Sequence, residues 1–438
     1  MPSDTAPRVW LQTLGCSKNQ VDSDKLTALL TEAGYLDAAG PEDADVVMVN
    51  TCAFIEEARR ESIEAVLDAA DRSAEGARLV VIGCMAQRYE TELAAELPEV
   101  DAVIGLDRYG ELVDRLDTMT GWEPIRLRRP SMDILYEIRR PTPTTPFAYV
   151  KVAEGCDKPC TFCAIPLFRG KQRSRAPVNI RDEIADLASV GVGEVVLVAQ
   201  DLAAYGRDID APGGIVELLR FVSDVDGLRR LRLLYLYPRE IRQPLIDEIA
   251  GNPVVASYFD LSLQHASGRL LRAMKRPGDG AGHLGLVDRI RTADPAAALR
   301  SSFIVGFPGE SDDDVEELAD FLTEARLDWA GFFPYSAEEG TPAAGLPGRI
   351  PADEVADRVR HLTSIQDDIT AERSGERIGT AVEVLVDQVE DGRPVGRSFR
   401  EAPEIDGVVL LDRGRPGEWV TAEITGAFGG DTEGEVIG

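Results

Sequence analysis

Lysine, histidine and long apolar runs are what this chain lacks. Only six of its 47 basic residues are lysine, and 77 acidic residues leave the 438-residue chain with a net charge of −30. Such a surface repels phosphate, which excludes wide nonspecific binding to nucleic acid. It suits a basic partner, or simply a solvated acidic exterior. No apolar run approaches the roughly 20 residues that span a bilayer, and no apolar segment follows the opening MPSDTAPRVW. A cytoplasmic protein is therefore expected. Cysteine occurs six times. In a chain of this size without a secretion signal, six cysteines do not read as a disulfide framework.

What is present is strand–helix alternation in two blocks and a β-rich tail. RVWLQTLGC, DVVMVNTC and RLVVIGC are β-rich runs that each end in a cysteine, with helical patterns after them at about 21–33, 55–74 and 87–96. Alternation of this kind predicts a parallel sheet covered by helices. Ligands of such sheets bind beyond the carboxyl ends of the strands, where Cys16, Cys52 and Cys84 fall. RRPTPTTP at 139–146 reads as a linker. Six more strand candidates follow: FAYVKVA, EVVLVAQ, RLLYLY, YFDLSLQ, RSSFIVGF and WAGFFPYS, with helices between them. Six βα units predict a partial barrel with its chemistry at the carboxyl ends of the strands. A helix is expected over about 352–373. Beyond it, five short strands ending in EVIG predict a small β-barrel. From Gly379 to Gly438 there are five arginines, no lysine and thirteen acids, a net of −8. The fold class is α/β with expected domains at 7–120, 142–373 and 375–438.

The cysteines split into a dispersed trio and a compact one, Cys156, Cys160 and Cys163, in AEGCDKPCTFCAIP. The compact trio follows the first barrel strand directly. Three thiolates from one short loop can hold three corners of a cubane iron–sulfur cluster and leave the fourth iron free for a small molecule. The competing reading is zinc with His265, one of only three histidines, as fourth ligand. Zinc motifs place their remaining ligands in a second local pair, and none exists here.

EGCDKPCTFCAIP on the first strand of a six-unit barrel resembles the radical S-adenosylmethionine enzymes. LGCSKNQVDSD, NTCAFIEEARRESI and VIGCMAQ look like the N-terminal domain of methylthiotransferases, and the tail resembles a TRAM domain. The resemblance covers nearly the whole chain. It implies two 4Fe–4S clusters, one on Cys156, Cys160 and Cys163 and open to S-adenosylmethionine, the other on Cys16, Cys52 and Cys84 and carrying the sulfur to be inserted. It also implies that Phe162 lies beside the adenine. The cofactor supplies the radical chemistry, so no side chain need act as a general base. An electron donor and a sulfur source are implied as partners, and the sequence identifies neither.

Methylthiotransferases divide mainly between modifiers of transfer-RNA adenosine and a modifier of an aspartate in the twelfth small-subunit ribosomal protein. NTCAFIEEARRESI, VAQDLAAYGRD, FIVGFPGES and above all RSFREAPEIDGVV look like the ribosomal-protein branch. An acidic C-terminal module suits a basic ribosomal protein better than RNA. The expected activity is methylthiolation of that aspartate at its β-carbon. The alternatives are the sister activity on transfer RNA, and a non-catalytic iron–sulfur protein that binds nucleic acid or transfers electrons. Ser17 and Ser262 stand where the family usually has proline. Further candidates are Gln200 and Asp201 at a strand end, read either as facing the cofactor or as structural caps, and Gly306 in VGFPGE, read either as a close backbone approach to a ligand or as a simple strand-to-helix turn. The basic run FRGKQRSR at 168–175 could hold an anionic group or be a solvated loop. His265 reads more readily as a packing residue than as a catalyst.

Overall fold

The computed structural model describes residues 6–122, 134–211 and 213–437. Gly438, which ends the last expected strand, lies outside them. Five parallel strands form the N-terminal sheet: β1 (Arg8–Thr13), β2 (Leu36–Asp37), β3 (Val46–Thr51), β4 (Arg78–Gly83) and β5 (Ala102–Gly105), in the order β2-β1-β3-β4-β5. Every residue of the central β3, VVMVNT, is buried, as a strand covered on both faces requires. The three expected strands are β1, β3 and β4, and they are adjacent. The edge strands β2 and β5 have two and four residues, too short for a pattern of period two to stand out. The third expected helix is two pieces, Cys84–Arg88 and Glu90–Glu96.

The central part begins with β6 (Phe147–Lys151), followed by the short pair β7 (Ala153–Glu154) and β8 (Arg173–Ser174). It continues with β9 (Glu194–Val198), β10 (Arg230–Leu233), β11 (Tyr258–Gln264), β12 (Ala298–Val305) and β13 (Trp329–Pro334). β6, β9 and β10 form one parallel sheet and β11, β12 and β13 another. Parallel bridges Leu231–Val255 and Leu236–Leu261 join them, which gives the six-stranded partial barrel. The helix Ala352–Gly375 packs against β13. The last module is a closed barrel of β14 (Ala381–Glu390), β15 (Arg393–Arg397), β16 (Val409–Leu411), β17 (Trp419–Phe428) and β18 (Asp431–Val436).

Two segments from outside the barrel seal its interior. Tyr149, Val196, Val198, Leu234, Ala256, Tyr258 and Ala298 form an inner core that also takes in Val21 and Ala402. Val21 belongs to the helix Ser17–Glu32, which lies against β6. Ala402 belongs to the segment between β15 and β16. Arg397, the last residue of β15, meets Glu194 and Arg230, and Asp406 of that segment meets Tyr258; Glu194, Arg230 and Tyr258 are the first residues of β9, β10 and β11. The segment therefore covers the amino-terminal floor of the barrel, opposite the end that carries the compact trio.

Candidate active site

The sheet brings the dispersed trio together. Cys16 stands at the amino end of the helix Ser17–Glu32, Cys52 directly follows β3, and Cys84 opens the helix after β4. Asn19 ties the loops in place. Its Nδ2 donates to Leu14 O at 2.9 Å and to Thr51 O at 3.1 Å, so it clasps the chain just past β1 and at the end of β3. The three thiols lie within electrostatic range of one another, and Cys16 acts on both partners. Burial raises the Cys52 thiol and pushes Cys84 up to about 12. Burial would raise Cys16 too, but Lys18 and Arg169 outweigh it and hold that thiol below its usual range.

The compact trio sits at the barrel mouth on a loop pinned at several points. Cys156 N–H donates to Gly170 O at 3.0 Å, Cys163 N–H to Cys160 O at 3.3 Å, and Thr161 N–H to Met274 O at 3.1 Å. Gly155, with φ +77°, is required for this approach: a Cβ there would lie 2.1 Å from Lys171 O. All three thiols are partly exposed, unlike buried Cys52 and Cys84. Burial of the sulfurs still pushes Cys156 up to about 11 and Cys163 up to about 12. Cations stand close: Arg276 reaches Cys160 Sγ at 3.7 Å and stacks on the Tyr237 ring. Lys158 covers the same ring and pairs with Asp201 at 3.2 Å and Glu240 at 2.7 Å.

Between the trios lies a dry cluster of charges that sequence reasoning did not single out: Asp22, Lys151, Glu154 and Arg169, each at most 4% exposed. Lys151 pairs with Asp22 and, at 2.7 Å, with Glu154. Arg169 donates to Glu154 Oε2 at 2.7 Å, to Asn19 Oδ1 at 2.7 Å and to Cys84 Sγ at 3.0 Å. Burial would raise Glu154, but Arg169 and Lys151 hold its carboxyl well below the usual range. FRGKQRSR is therefore neither a solvated loop nor an open anion site at its two buried arginines. Arg169 spends its guanidinium on this cluster, and Arg175 donates to Lys151 O at 2.7 Å and pairs with Glu183 at 2.7 Å. The sequence signal was an arginine six residues past the last compact cysteine and a glutamate two before the first. Neither spacing discloses burial.

The other candidates separate. Gln200 Nε2 donates to Glu154 Oε1 at 2.6 Å, which places it at the mouth beside the charge cluster. Phe162 packs against Leu270, Leu271, Met274, Phe307 and Ala343. Gly306 has φ +82°, and its N–H donates to both Glu310 oxygens at 3.0 and 2.9 Å. A Cβ there would lie 2.4 Å from the Val355 side chain, so helix packing alone demands glycine. His265 is fully buried. Its Nδ1 accepts from Ser267 N–H at 3.0 Å and its Nε2 lies 3.6 Å from Glu310, so it packs rather than completing a thiol site. Among the described residues, no three Cys, His, Asp or Glu side chains close around a single ion position. Two sets of three thiols, each without a histidine and with cations nearby, fit clusters with three thiolate corners rather than one tetrahedral zinc.

Comparison with known proteins agrees in all three parts. Residues 8–105 match the model of Uncharacterized protein family UPF0004, residues 150–322 the radical SAM superfamily, and residues 378–437 the TRAM domain. A relative from Saccharopolyspora erythraea, named ribosomal protein uS12 methylthiotransferase RimO, is 43% identical over 94% of this chain and 90% of its own length. A Nocardioides protein of the same name is 41% identical over 99% of both chains. Among solved structures, the radical S-adenosylmethionine methyltransferase TsrM from Kitasatospora setae, with cobalamin and a 4Fe–4S cluster bound, covers 94% of this chain and 84% of its own. Its TM-score is 0.54 at 15% identity, a likeness of fold.

Proposed function

The chain belongs to the uS12 methylthiotransferase family of radical S-adenosylmethionine enzymes, and on that premise we propose that it places a methylthio group on the β-carbon of an aspartate in the twelfth small-subunit ribosomal protein. The observation that carries this is identity of 40% and above to relatives of that name along the whole chain. When bound, the clusters and S-adenosylmethionine supply hydrogen abstraction from the unactivated β-carbon, the sulfur and the methyl group.

The protein holds and orients these groups and keeps water out. Cys156, Cys160 and Cys163 would hold the cluster that leaves one iron to S-adenosylmethionine. Cys16, Cys52 and Cys84 would hold a second. Support for the division is that one buried charge cluster adjoins both trios, Arg169 donating to Cys84 Sγ and its neighbour Gly170 accepting from the Cys156 N–H. Phe162 and Gln200 flank the mouth, where they would position the cofactor. Val21 and the Lys18 ammonium, 3.5 Å over the Tyr235 ring, cover the barrel interior from the N-terminal side. A dry interior protects a carbon radical from side reactions. A ribosomal substrate puts the reaction in the cytoplasm. Among the described residues, no helix is long and apolar enough to cross a membrane.

Reduced, reconstituted protein incubated with S-adenosylmethionine, a sulfide source, the ribosomal protein and transfer RNA tests this. Mass spectrometry should find the methylthio group on an aspartate of the ribosomal protein. Modification of RNA alone would overturn the assignment in favour of the sister activity.

A further inference from the structure

The buried arginine between the trios has a contact that domain packing does not need. Glu154, Asp22 and Lys151 together carry one net negative charge, which already balances Arg169. Yet its Nη2 donates to Cys84 Sγ at 3.0 Å while Nη1 donates to Glu154 at 2.7 Å. The next residue, Gly170, accepts the Cys156 N–H at 3.0 Å. Two consecutive residues therefore touch one cysteine of each trio. We infer that Arg169 is a positioning residue for the N-terminal cluster: it hydrogen-bonds the Cys84 sulfur, raises that cluster's reduction potential and fixes its ligand set against the Cys156 loop. This rests on the two-cluster reading above.

The physics is that of a cation donating to a cluster sulfur in a dry site. Hydrogen bonds to sulfur, local charge and solvent exposure set the potential of an iron–sulfur cluster. Reduction adds negative charge, so a fixed cation stabilises the reduced form more than the oxidised one. Arg169 is 3% exposed, which leaves little water to screen the effect. Its planar fork is held by acceptors on both sides, Glu154 and Asn19, so the sulfur contact is preorganised. The compact trio has only a longer counterpart. Arg276 stands farther from its sulfur, at 3.7 Å, and is engaged with Tyr237.

The test uses the full chain with Cys156, Cys160 and Cys163 replaced by alanine, so that only the N-terminal cluster can form, and with its arginines labelled with nitrogen-15. Pulsed electron paramagnetic resonance of the reduced cluster should show a nitrogen-15 coupling. In Arg169→Gln the coupling should vanish. The ratio of reduced to oxidised cluster at a fixed potential should fall at least tenfold, about 59 mV for one electron. A buttress that merely joined the domains would move neither. An iron-loaded protein without the coupling overturns the inference and leaves the two-cluster reading standing. A protein that takes up no iron overturns both, and the iron count tells the cases apart. Should Arg169→Gln fail to fold, the labelled chain with Arg169 intact still decides.

Discussion

The two ends of the central barrel are built from the same materials and do different work. The floor holds Arg230, Arg232 and Arg397 around Glu194, all nearly dry. Arg232 also donates to Phe399 O at 2.8 Å and Ser398 O at 3.1 Å, and Tyr258 donates to Asp406 at 2.6 Å. The mouth holds Arg169 and Lys151 around Asp22 and Glu154. At the floor, each of these guanidiniums ends on carboxylate or backbone carbonyl, so the charge is consumed in joining the C-terminal module to the barrel. At the mouth, Arg169 turns a guanidinium nitrogen to Cys84 Sγ at 3.0 Å and Arg276 turns one to Cys160 Sγ at 3.7 Å. Buried arginines alone do not mark a functional site; what their last donor faces does.

This difference bears on RSFREAPEID, the string that pointed most sharply to the ribosomal-protein branch. In the structure it is the floor segment. Glu401 is 1% exposed, its carboxylate accepting from Arg377 at 2.6 Å and from the Ser398 N–H at 2.8 Å. In this chain Arg397, Ser398, Glu401 and Asp406 of the string serve to attach the C-terminal module to the barrel.

The largest effect should come at the mouth. Cys160→Ala should abolish release of 5′-deoxyadenosine from S-adenosylmethionine, followed by chromatography of the reaction. Cys52→Ala should retain that release and lose the methylthio product; full product from this variant would sink the division of labour between the trios. At the floor, Glu194→Gln leaves Arg230 and Arg232 without their carboxylate, Arg397 keeping Asp387 at 2.6 Å, and should cost about 3–5 kcal/mol in urea unfolding. Cofactor cleavage per folded molecule should be unchanged, and a loss of it would erase the contrast between the ends.

The floor also carries a pH signature. Burial opposes ionisation of Glu194, but Arg397, Arg232 and Arg230 win and hold it at about 2, against an ordinary 4.5. A depressed carboxyl stabilises the fold above its unfolded pKa and loses that contribution as pH falls from 4.5 toward 2, about 3 kcal/mol in all. Glu194→Gln should flatten this acid limb of the stability profile. The smallest expected effect is Tyr149→Phe. It removes hydroxyl bonds to Glu404 at 2.8 Å and Pro403 O at 3.2 Å and should cost about 0.5–1.5 kcal/mol without changing product formation.

Much of the architecture can be read in the sequence because it is local. Buried parallel strands such as VVMVNT are continuous apolar runs, and the C-x3-C-x2-C spacing confines three thiols to one loop whatever surrounds it. Short edge strands escape, since two to four residues carry no period. The roles of Arg169, Glu154, Asp22 and Lys151 escape for another reason. Each is an ordinary charged residue in sequence, and its burial depends on partners as far as 150 positions away.

The sequence by itself determined the three-part plan, the six cysteines and the family, because strand period, cysteine spacing and long stretches of identity are one-dimensional properties. Tertiary structure alone decided that RSFREAPEID closes the floor and that Arg169 stands between the trios with a donor on sulfur. Those outcomes depend on which charges are taken out of water together, and desolvation belongs to the packed chain rather than to any stretch of it.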